Sequence, residues 1–413
     1  KHWGKAARAH PELARYDETN PMRFTLELMF WCAVALLAYP YLVYPVLLWL
    51  LAQVSPRRTT LAGQPSDLPS LTLVISAYNE AEVIGGKIEN SIAIDYPVDR
   101  LEVLVVSDAS DDATDGIVRD WQARDPRVRL VRQEERRGKT SGLNLAMGEA
   151  RGEVVVFSDA NAMYRPDALR KLVRHFADPE VGYVVGAQLY NPGAESEATA
   201  SEGLYWRLEL MLKRLESRFD SVVGGDGAIY AIRRQLFWPL QPDDINDFVN
   251  PLQIVAEGYR GVFDPEATCT EDAAEGFAKE FRRKRRIVNR TWRAVRRYGH
   301  RLSLTRHTRF LFLLLSHKVI RWFSLPIFAL ALMANVGIVM LAPSPLYLTT
   351  LAAMLAGIGL GLLGRALDRR GLRMPRVVYL PYYYFLVNLA ALLGIWDEAR
   401  GVRHAVWTHV RSG

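Results

Sequence analysis

The sequence predicts an α/β domain joined to α-helical transmembrane segments. Between residues 70 and 275, short apolar runs alternate with stretches of helical period, as they do in a sheet covered by helices. Outside that region lie long runs without any charged residue, and runs of that length can cross a bilayer. A chain of 413 residues is long enough to hold both parts.

The α/β region occupies residues 70–275. Its expected strands lie at 71–77, 102–107, 128–132, 154–158, 181–190 and 227–233. Its expected helices lie at 80–94, 110–124, 141–150, 166–177, 197–217 and 246–257. The four apolar residues Val154–Phe157, which follow Gly152 closely, are typical of a buried strand in a parallel sheet.

Three apolar segments are predicted to lie in the membrane. The segment at 24–56 is long enough for one crossing, which Pro40 and Pro45 are expected to kink. Residues 322–364 are expected to form a transmembrane hairpin that turns at a central Pro-Ser-Pro. Residues 377–396 form either a third crossing or a re-entrant segment.

Basic segments adjoin the apolar ones. Residues 276–321 are predicted to form basic interfacial helices, because twelve Lys or Arg and one acid lie among aromatic residues between positions 279 and 306. The basic loop at 365–376 is expected to face the cytoplasm. The tails at 1–23 and 397–413 stay unplaced, because strict alternation sends both outside, against the positive-inside rule.

The overall composition narrows the functional class. Two cysteines, Cys32 and Cys269, are too few for a disulfide framework and lack the spacing of a zinc site, so the soluble part is expected in a reducing compartment. The net charge of +7 is clustered beside apolar runs, which favours lipid head groups and phosphorylated ligands over nucleic acid. No cleavable signal peptide is expected.

Polar side chains follow the predicted strands at the points where they end. Asp108 follows the second strand, Lys139 the third, and Asp159 and Asn161 the fourth. Parallel strands collect such residues at one edge of the sheet, where α/β proteins bind ligands. A carboxylate can accept from a base N–H, a lysine can neutralise phosphate, and an acid with an amide can hold a divalent cation. The pattern predicts a nucleotide diphosphate site, although neither GxGxxG nor a Walker sequence is present.

Several short motifs, taken together, resemble one known family. They are Ala77-Tyr78-Asn79-Glu80, Val105-Val106-Ser107-Asp108, Gly138-Lys139, Ser158-Asp159-Ala160-Asn161, Gly225-Asp226-Gly227-Ala228-Ile229-Tyr230, Asp247 and the basic run Arg282–Arg286. In this order the chain resembles the membrane-embedded family 2 glycosyltransferases, the branch that includes cellulose, chitin and hyaluronan synthases. The resemblance implies a GT-A fold, a Rossmann-like mixed sheet, for a cytosolic domain.

The resemblance also implies roles for single residues. It assigns Ala77, Tyr78, Glu80, Asp108, Lys139, Asp159, Arg283 and Arg286 to the nucleotide-sugar donor. It makes Asp159 and Asn161 the ligands of Mg²⁺ or Mn²⁺, and Asp247 the catalytic base. It places Asp226, Gly227, Trp206 and Trp292 at the acceptor.

Two positions depart from the family pattern. The metal motif ends in Asn161 where the family has Asp, and a neutral ligand implies lower cation affinity. Ile287 stands where the family has the Trp of an acceptor-binding motif, which puts long-chain polymer synthesis in doubt. Trp206 and Trp292 are the candidates to replace that side chain.

The expected function is inverting transfer of a sugar from a nucleotide sugar, with a UDP-sugar favoured. The acceptor is expected to be a polysaccharide or a lipid-linked oligosaccharide, at the cytoplasmic face of the plasma membrane. Polysaccharide export proteins are the candidate protein partners under this interpretation. Two alternatives stay open: a polyprenyl-phosphate sugar transferase and a catalytically inert scaffold of a polysaccharide secretion complex.

Overall fold

A computed structural model describes residues 21–57, 68–191, 197–272 and 276–403, with residues 191, 197–205 and 272 described by their backbone only. The predicted tails at 1–23 and 397–413 therefore lie largely outside the described residues. The described chain forms two compact units. The larger comprises residues 47–314 and 393–403, and the smaller comprises residues 21–46 and 315–392.

The larger unit is built on an eight-stranded mixed sheet in the order β3-β2-β1-β4-β7-β6-β8-β5. The strands are β1 Leu71–Ala77, β2 Leu101–Ser107, β3 Val128–Arg132, β4 Val154–Asp159, β5 Met163–Tyr164, β6 Val181–Asn191, β7 Tyr230–Arg233 and β8 Arg260–Asp272. Two helices precede the sheet in the chain: α1 Pro21–Ala38, which belongs to the smaller unit, and α2 Tyr44–Val54, which spans the boundary between the units. The principal helices of the larger unit are α3 Ile84–Ile92, α4 Thr114–Arg124, α5 Lys139–Glu149, α6 Ala168–Val173, α7 Glu197–Phe219, α8 Asn246–Ala256, α9 Phe277–Tyr298 and α10 Thr308–Leu314.

Strands β1 to β4 form the parallel half of the sheet, which confirms the predicted α/β class. The register pairs Ala77 with Ser107 and Ser76 with Asp159, so β1, β2 and β4 end at the same level. The apolar residues of β4 are buried, as the sequence indicated. Each fully buried Val or Phe contributes roughly 1.5–3 kcal/mol. This core holds the strand ends at fixed positions.

Strand β8 was missing from the sequence-based prediction, and so was the short β5. β8 runs parallel to β6 over most of its length, with a register shift opposite Val185 and Ala187. Asp264, Pro265 and Glu266 lie at that shift, where a strand tolerates a proline. These residues break the apolar alternation that identifies a strand in the sequence.

The smaller unit is helical. Its helices are α1, α11 Ile320–Trp322, α12 Ser324–Leu341, α13 Pro345–Arg369 and most of α14 Arg376–Ala399. A π-helical turn, Tyr39–Val43, joins α1 to α2 and contains Pro40, and such a wide turn accommodates the missing proline N–H. Phe30 and Ala33 of α1 pack on Ala331 and Ala334 of α12.

Four helical spans among the described residues are long and apolar enough to cross a membrane. They are Pro21–Val54, Ser324–Leu341, Pro345–Arg369 and Arg376–Ala399. These spans overlap the uncharged runs of the sequence, and all but Ser324–Leu341 extend past them into charged residues. The hairpin turns between Leu341 and Pro345.

Candidate active site

The loops that follow β1 and β2 are tied together at the carboxyl edge of the sheet. Asn79 and Ala109 turn the chain sharply there, with φ of 53° and 55°. The Asn79 side chain donates to Asp111 Oδ1 at 2.5 Å and accepts from the Asp111 amide at 3.0 Å. The Glu80 amide donates to Thr114 Oγ1 at 2.8 Å. These bonds hold the loop that carries Tyr78 and Glu80 against the loop that begins at Asp108.

Asp108 anchors the loop that leads from β3 to α5. Its Oδ1 accepts from Gln133 Nε2 at 2.6 Å and from the amides of Arg137 at 2.9 Å and Gly138 at 3.0 Å. Its Oδ2 accepts from the Gly138 amide at 3.0 Å. Burial raises the pKa of Asp108, and the loop amides partly offset that rise. Oδ2 keeps acceptor capacity for a ligand N–H.

Three of the predicted site residues converge on Gly227. A Cβ placed on this glycine would lie 3.5 Å from Asp247 Oδ2, 3.7 Å from Asp159 Oδ2 and 3.7 Å from Lys139 Nζ. Lys139 Nζ also donates to Asp159 Oδ1. Residues 224–227, which include three glycines, are called the glycine loop here. The Gly225 amide donates to the Asp247 carbonyl, so the glycine loop lies against the first turn of α8. Residues from β4, α5 and α8 thus border one small space.

Asp247 is desolvated and lies among other acids. Its pKa is raised, first by burial and then by the charges of Asp226 and Asp159. The positive charges of Lys139 and Arg290 act in the opposite direction. A carboxylate with a raised pKa beside a cleft is a typical general base.

Helix α9 directs arginines toward these acids. Burial lowers the pKa of Arg286 to about 10, and neighbouring Arg290 and Arg283 lower it as well. The charges of Asp159 and Asp247 raise it, so Arg286 lies within the field of both. Arg283 pairs with Glu280 at 2.9 Å, and the charge of Glu280, with hydrogen bonds to Glu280 and Tyr190, holds the pKa of Arg283 above the ordinary value against burial.

Asp226 belongs to one of two further groups of polar contacts, which involve residues of β6, β8 and α7. Lys213 Nζ lies 3.2 Å from Asp226 Oδ2, and Trp206 Nε1 donates to the Gln188 carbonyl at 2.8 Å. Gln188 Nε2 in turn donates to Glu271 Oε2 at 2.5 Å. Burial, followed by the charges of Asp159 and Asp226, raises the pKa of Glu271 to about 8.

The sequence profile of glycosyl transferase family 2 matches residues 72–240. This stretch carries β2 to β7, all of β1 except Leu71, and the residues Asp108, Lys139, Asp159 and Asn161. Residues 72–240 therefore form a family 2 glycosyltransferase domain.

Known proteins similar to this chain include two curated enzymes and one solved structure. The chain is 35% identical over 126 residues to the β-monoglucosyldiacylglycerol synthase of Synechocystis sp., covering 30% of this chain and 26% of that enzyme. The chain is 27% identical over 214 residues to the poly-β-1,6-N-acetyl-D-glucosamine synthase of Staphylococcus aureus, covering 49% and 50%. It thus spans about a quarter and half of these two relatives.

The solved structure is a mannosyltransferase from Pyrobaculum calidifontis in complex with GDP-Man and Mn²⁺. It is 26% identical to this chain with a TM-score of 0.66, and the match covers 90% of this chain and 99% of that one. The similarity therefore extends beyond the glycosyltransferase domain to the helices on either side of it.

The two residues predicted to bind metal suit a cation whose coordination shell is completed by oxygens of the bound substrate. Among the described residues, no group of three or more His, Cys, Asp or Glu side chains could hold a metal ion. Asp159 Oδ2 faces the space beside Gly227, and Asn161 is exposed. One carboxylate and one amide leave most of the coordination shell to diphosphate oxygens and water, the arrangement that Mg²⁺ favours.

The structure brings Asp159, Lys139 and Asp247 together beside Gly227, whereas Trp292 lies on the far side of α9 from Arg283. Trp292 follows Arg283 by nine residues, about two and a half helical turns, so the two lie on opposite sides of α9. Trp206, in contrast, lies beside Tyr190, with ring centroids 5.4 Å apart.

Sequence reasoning missed four further polar residues of this region. They are Gln133, Gln188, Lys213 and Glu271. Recognising residues 260–272 as a strand could have identified Glu271, because Glu271 lies near the end of β8 as Asp159 lies at the end of β4. The other three carried no distinguishing signal in the sequence.

Proposed function

We propose that the protein transfers a sugar, with inversion, from a nucleotide sugar to a polysaccharide or lipid-linked acceptor, with Asp247 as the catalytic base. The observation that carries the proposal is the convergence of Asp247, Asp159 and Lys139 within 3.7 Å of one point beside Gly227. A base, a metal-ligating acid and a phosphate-binding cation around one space are what this reaction needs.

Each residue has a chemical task in the proposed reaction. The acceptor hydroxyl attacks the anomeric carbon and passes its proton to Asp247, a contribution of about 10²–10⁴-fold. The bond from that carbon to the diphosphate breaks as the new glycosidic bond forms. Lys139 and Arg286 stabilise the negative charge that develops on the diphosphate. Attack opposite the leaving group inverts the centre, so an α-linked donor yields a β-linkage.

Asp159 and Asn161 would hold Mg²⁺ or Mn²⁺ at the end of β4. The bound cation supplies charge neutralisation to the departing diphosphate. Asp108, Tyr78 and Glu80 would bind the nucleoside, with Asp108 Oδ2 accepting from the base. Asp226 and Trp206 are proposed to bind the acceptor.

A panel of radiolabelled donors tests this function. The sequence favours a UDP-sugar, whereas the solved relative holds GDP-Man. Purified protein in detergent is incubated with UDP-glucose, UDP-N-acetylglucosamine or GDP-mannose, Mn²⁺ and membrane lipid extract, and the products are sized. We expect one donor to be consumed and its sugar to enter a lipid-soluble or polymeric product. If none is transferred and no nucleotide binds, the proposal is wrong.

Two observations bear on the alternatives. Ile287, which replaces the Trp of the family's acceptor-binding motif, favours addition of one or a few sugars over a long polymer. The two curated relatives do not decide between these outcomes, because one is named for a glycolipid and the other for a polymer. A polyprenyl-phosphate acceptor would give a product labile to mild acid in the same assay. An inert scaffold has no need of the charged groups around Gly227, so the geometry favours an enzyme.

We further propose that the C-terminal end of α14 stays on the cytoplasmic side with the catalytic unit. Arg285 of α9 binds the Asp397 carboxylate at 2.6 and 2.8 Å, and Arg293 Nε donates to Glu398 at 2.6 Å. The chain leaves this unit after Leu314 and returns at Leu393. If both points lie on the same side of the membrane, the chain between them must cross it an even number of times. Three candidate spans lie between them, so one of the three does not cross fully. The span Arg376–Ala399, the least apolar and most buried of them, is proposed as the re-entrant one.

Single-cysteine labelling tests this topology. In a background with both native cysteines replaced, Ser344→Cys should react with an impermeant maleimide in intact cells. Arg370→Cys and Arg400→Cys, both at exposed positions, should react only after lysis. Labelling of Arg400→Cys in intact cells would show that α14 is a full crossing.

A further inference from the structure

Arg290 of α9 binds two segments of the catalytic unit at once. Its Nε donates to the Asp243 carbonyl at 3.2 Å. Its Nη2 donates to Thr140 Oγ1 at 2.9 Å and to the Asp244 carbonyl, with the Pro242 carbonyl at 3.5 Å. One guanidinium therefore holds the start of α5 against the loop that leads into α8.

These two segments carry the reacting groups. Thr140 follows Lys139 directly, and Asp244 precedes Asp247 by three residues. Thr140 Oγ1 also donates to the Asp244 carbonyl at 2.8 Å, so hydroxyl, guanidinium and carbonyl form one closed set of bonds. Movement of either segment would change the distance between Lys139 Nζ and the Asp247 carboxylate.

The loop before α8 has separate supports for its folding. Arg297 binds the carboxylates of Asp243 at 2.9 Å and Asp244 at 2.7 Å, and Tyr298 donates to Asp244 at 2.6 Å. Arg290 binds only the backbone carbonyls of this loop. Its loss should therefore shift the loop without unfolding it.

We propose that Arg290 is a positioning residue, which sets the geometry between the base Asp247 and the phosphate-binding Lys139. The inference rests on the proposed function, since it assigns Arg290 to the same reaction. A fork that donates from Nε and Nη2 together is needed to reach Asp243, Asp244 and Thr140, and a lysine offers a single point of charge instead.

Arg290 also acts on Asp247 through its charge. Lys139 of α5 and Arg286 and Arg290 of α9 favour the ionised carboxylate, whereas Asp159 of β4 and Asp226 of the glycine loop disfavour it. Removing one of these cations should raise the pKa of Asp247 further. Geometry and charge can be separated, because Arg290→Lys keeps the charge and loses the fork.

The test compares Arg290→Lys, Arg290→Gln and Thr140→Val with wild type, using the donor that the panel identifies. A misplacement of about 1 Å in an active site costs on the order of 10²-fold in rate. We expect kcat to fall roughly 10- to 100-fold in both Arg290 variants on that basis, and less in Thr140→Val. Nucleotide binding and the melting temperature should stay close to wild type. Only Arg290→Gln should move the acid limb of the kcat profile to higher pH.

Arg296→Gln is the matched control, because Arg296 lies on the same helix with its side chain 60% exposed and its ion pair to Glu398 is long, at 3.5 Å. It should behave as wild type. Wild-type kcat and pH profile in Arg290→Gln would overturn the inference, and so would equal losses of nucleotide binding and melting temperature, which indicate a purely structural role. An inactive wild-type protein would instead remove the proposed function, and this inference with it.

Discussion

Replacing Asp247 with Asn should abolish sugar transfer while leaving nucleotide binding intact. The amide has nearly the same shape but cannot take the proton of the acceptor hydroxyl. Loss of a general base lowers kcat by about 10²–10⁴-fold. The bond from the Gly225 amide is accepted by the backbone carbonyl of Asp247 and survives the substitution. The measurement is kcat with the active donor, alongside calorimetric binding of the free nucleotide.

Asp120→Asn provides the control for this substitution. Asp120 is exposed on α4, and its substitution by Asn makes the same change in charge and shape as Asp247→Asn does. It should keep wild-type turnover. Substantial turnover in Asp247→Asn would show that another group accepts the proton, and loss of nucleotide binding would indicate that the substitution disturbs the fold.

The raised pKa of Asp247 predicts two pH effects. Because the proposed base must be ionised to accept a proton, wild-type kcat should fall as pH is lowered through a pKa above the ordinary aspartate value. A carboxyl whose pKa is higher in the folded state binds its proton more tightly there, so its contribution to stability is lost as pH rises through that pKa. Asp247→Asn removes this cost, and its melting temperature at neutral pH should equal or exceed that of wild type.

The sequence was sufficient for the part of the site that depends on strand order. Asp108 and Asp159 follow apolar runs, and parallel strands bring their ends to one edge. The observed pairing of Ser76 with Asp159 is the direct result. The family pattern added Asp247, whose position at the start of a helix has no such geometric signal.

The remaining features depend on contacts that local patterns do not encode. Glu271 lies in a strand that contains Pro265 and several charges, and its pairing with β6 is a long-range property. The principal partners of Arg290 include the carbonyls of Asp243 and Asp244, which any residue type would supply. Trp292 was a candidate to replace the Trp that the family has at the position of Ile287, whereas the helical phase of α9 places it on the side opposite Arg283.

Asp159→Asn should abolish transfer and make nucleotide binding independent of divalent cations. The carboxylate is the only charged member of the proposed metal pair, and hard cations bind a neutral amide more weakly. Loss of this electrostatic stabilisation should lower kcat by roughly 10²–10³-fold. The same substitution frees Lys139 from its ion pair, so the lysine can approach the diphosphate directly. Binding measured in EDTA should therefore match or exceed that of wild type, while added Mn²⁺ should no longer tighten it.

Asn161→Asp is the complementary variant, because it restores the second acid that the family motif carries. The added carboxylate should lower the Mn²⁺ concentration needed for half-maximal binding of the nucleotide. Both substitutions change the same pair by one charge, in opposite directions, without altering side-chain size. If Asp159→Asn still responds to Mn²⁺ and Asn161→Asp does not shift the response, the cation binds elsewhere and Asp159 serves only as the ionic partner of Lys139.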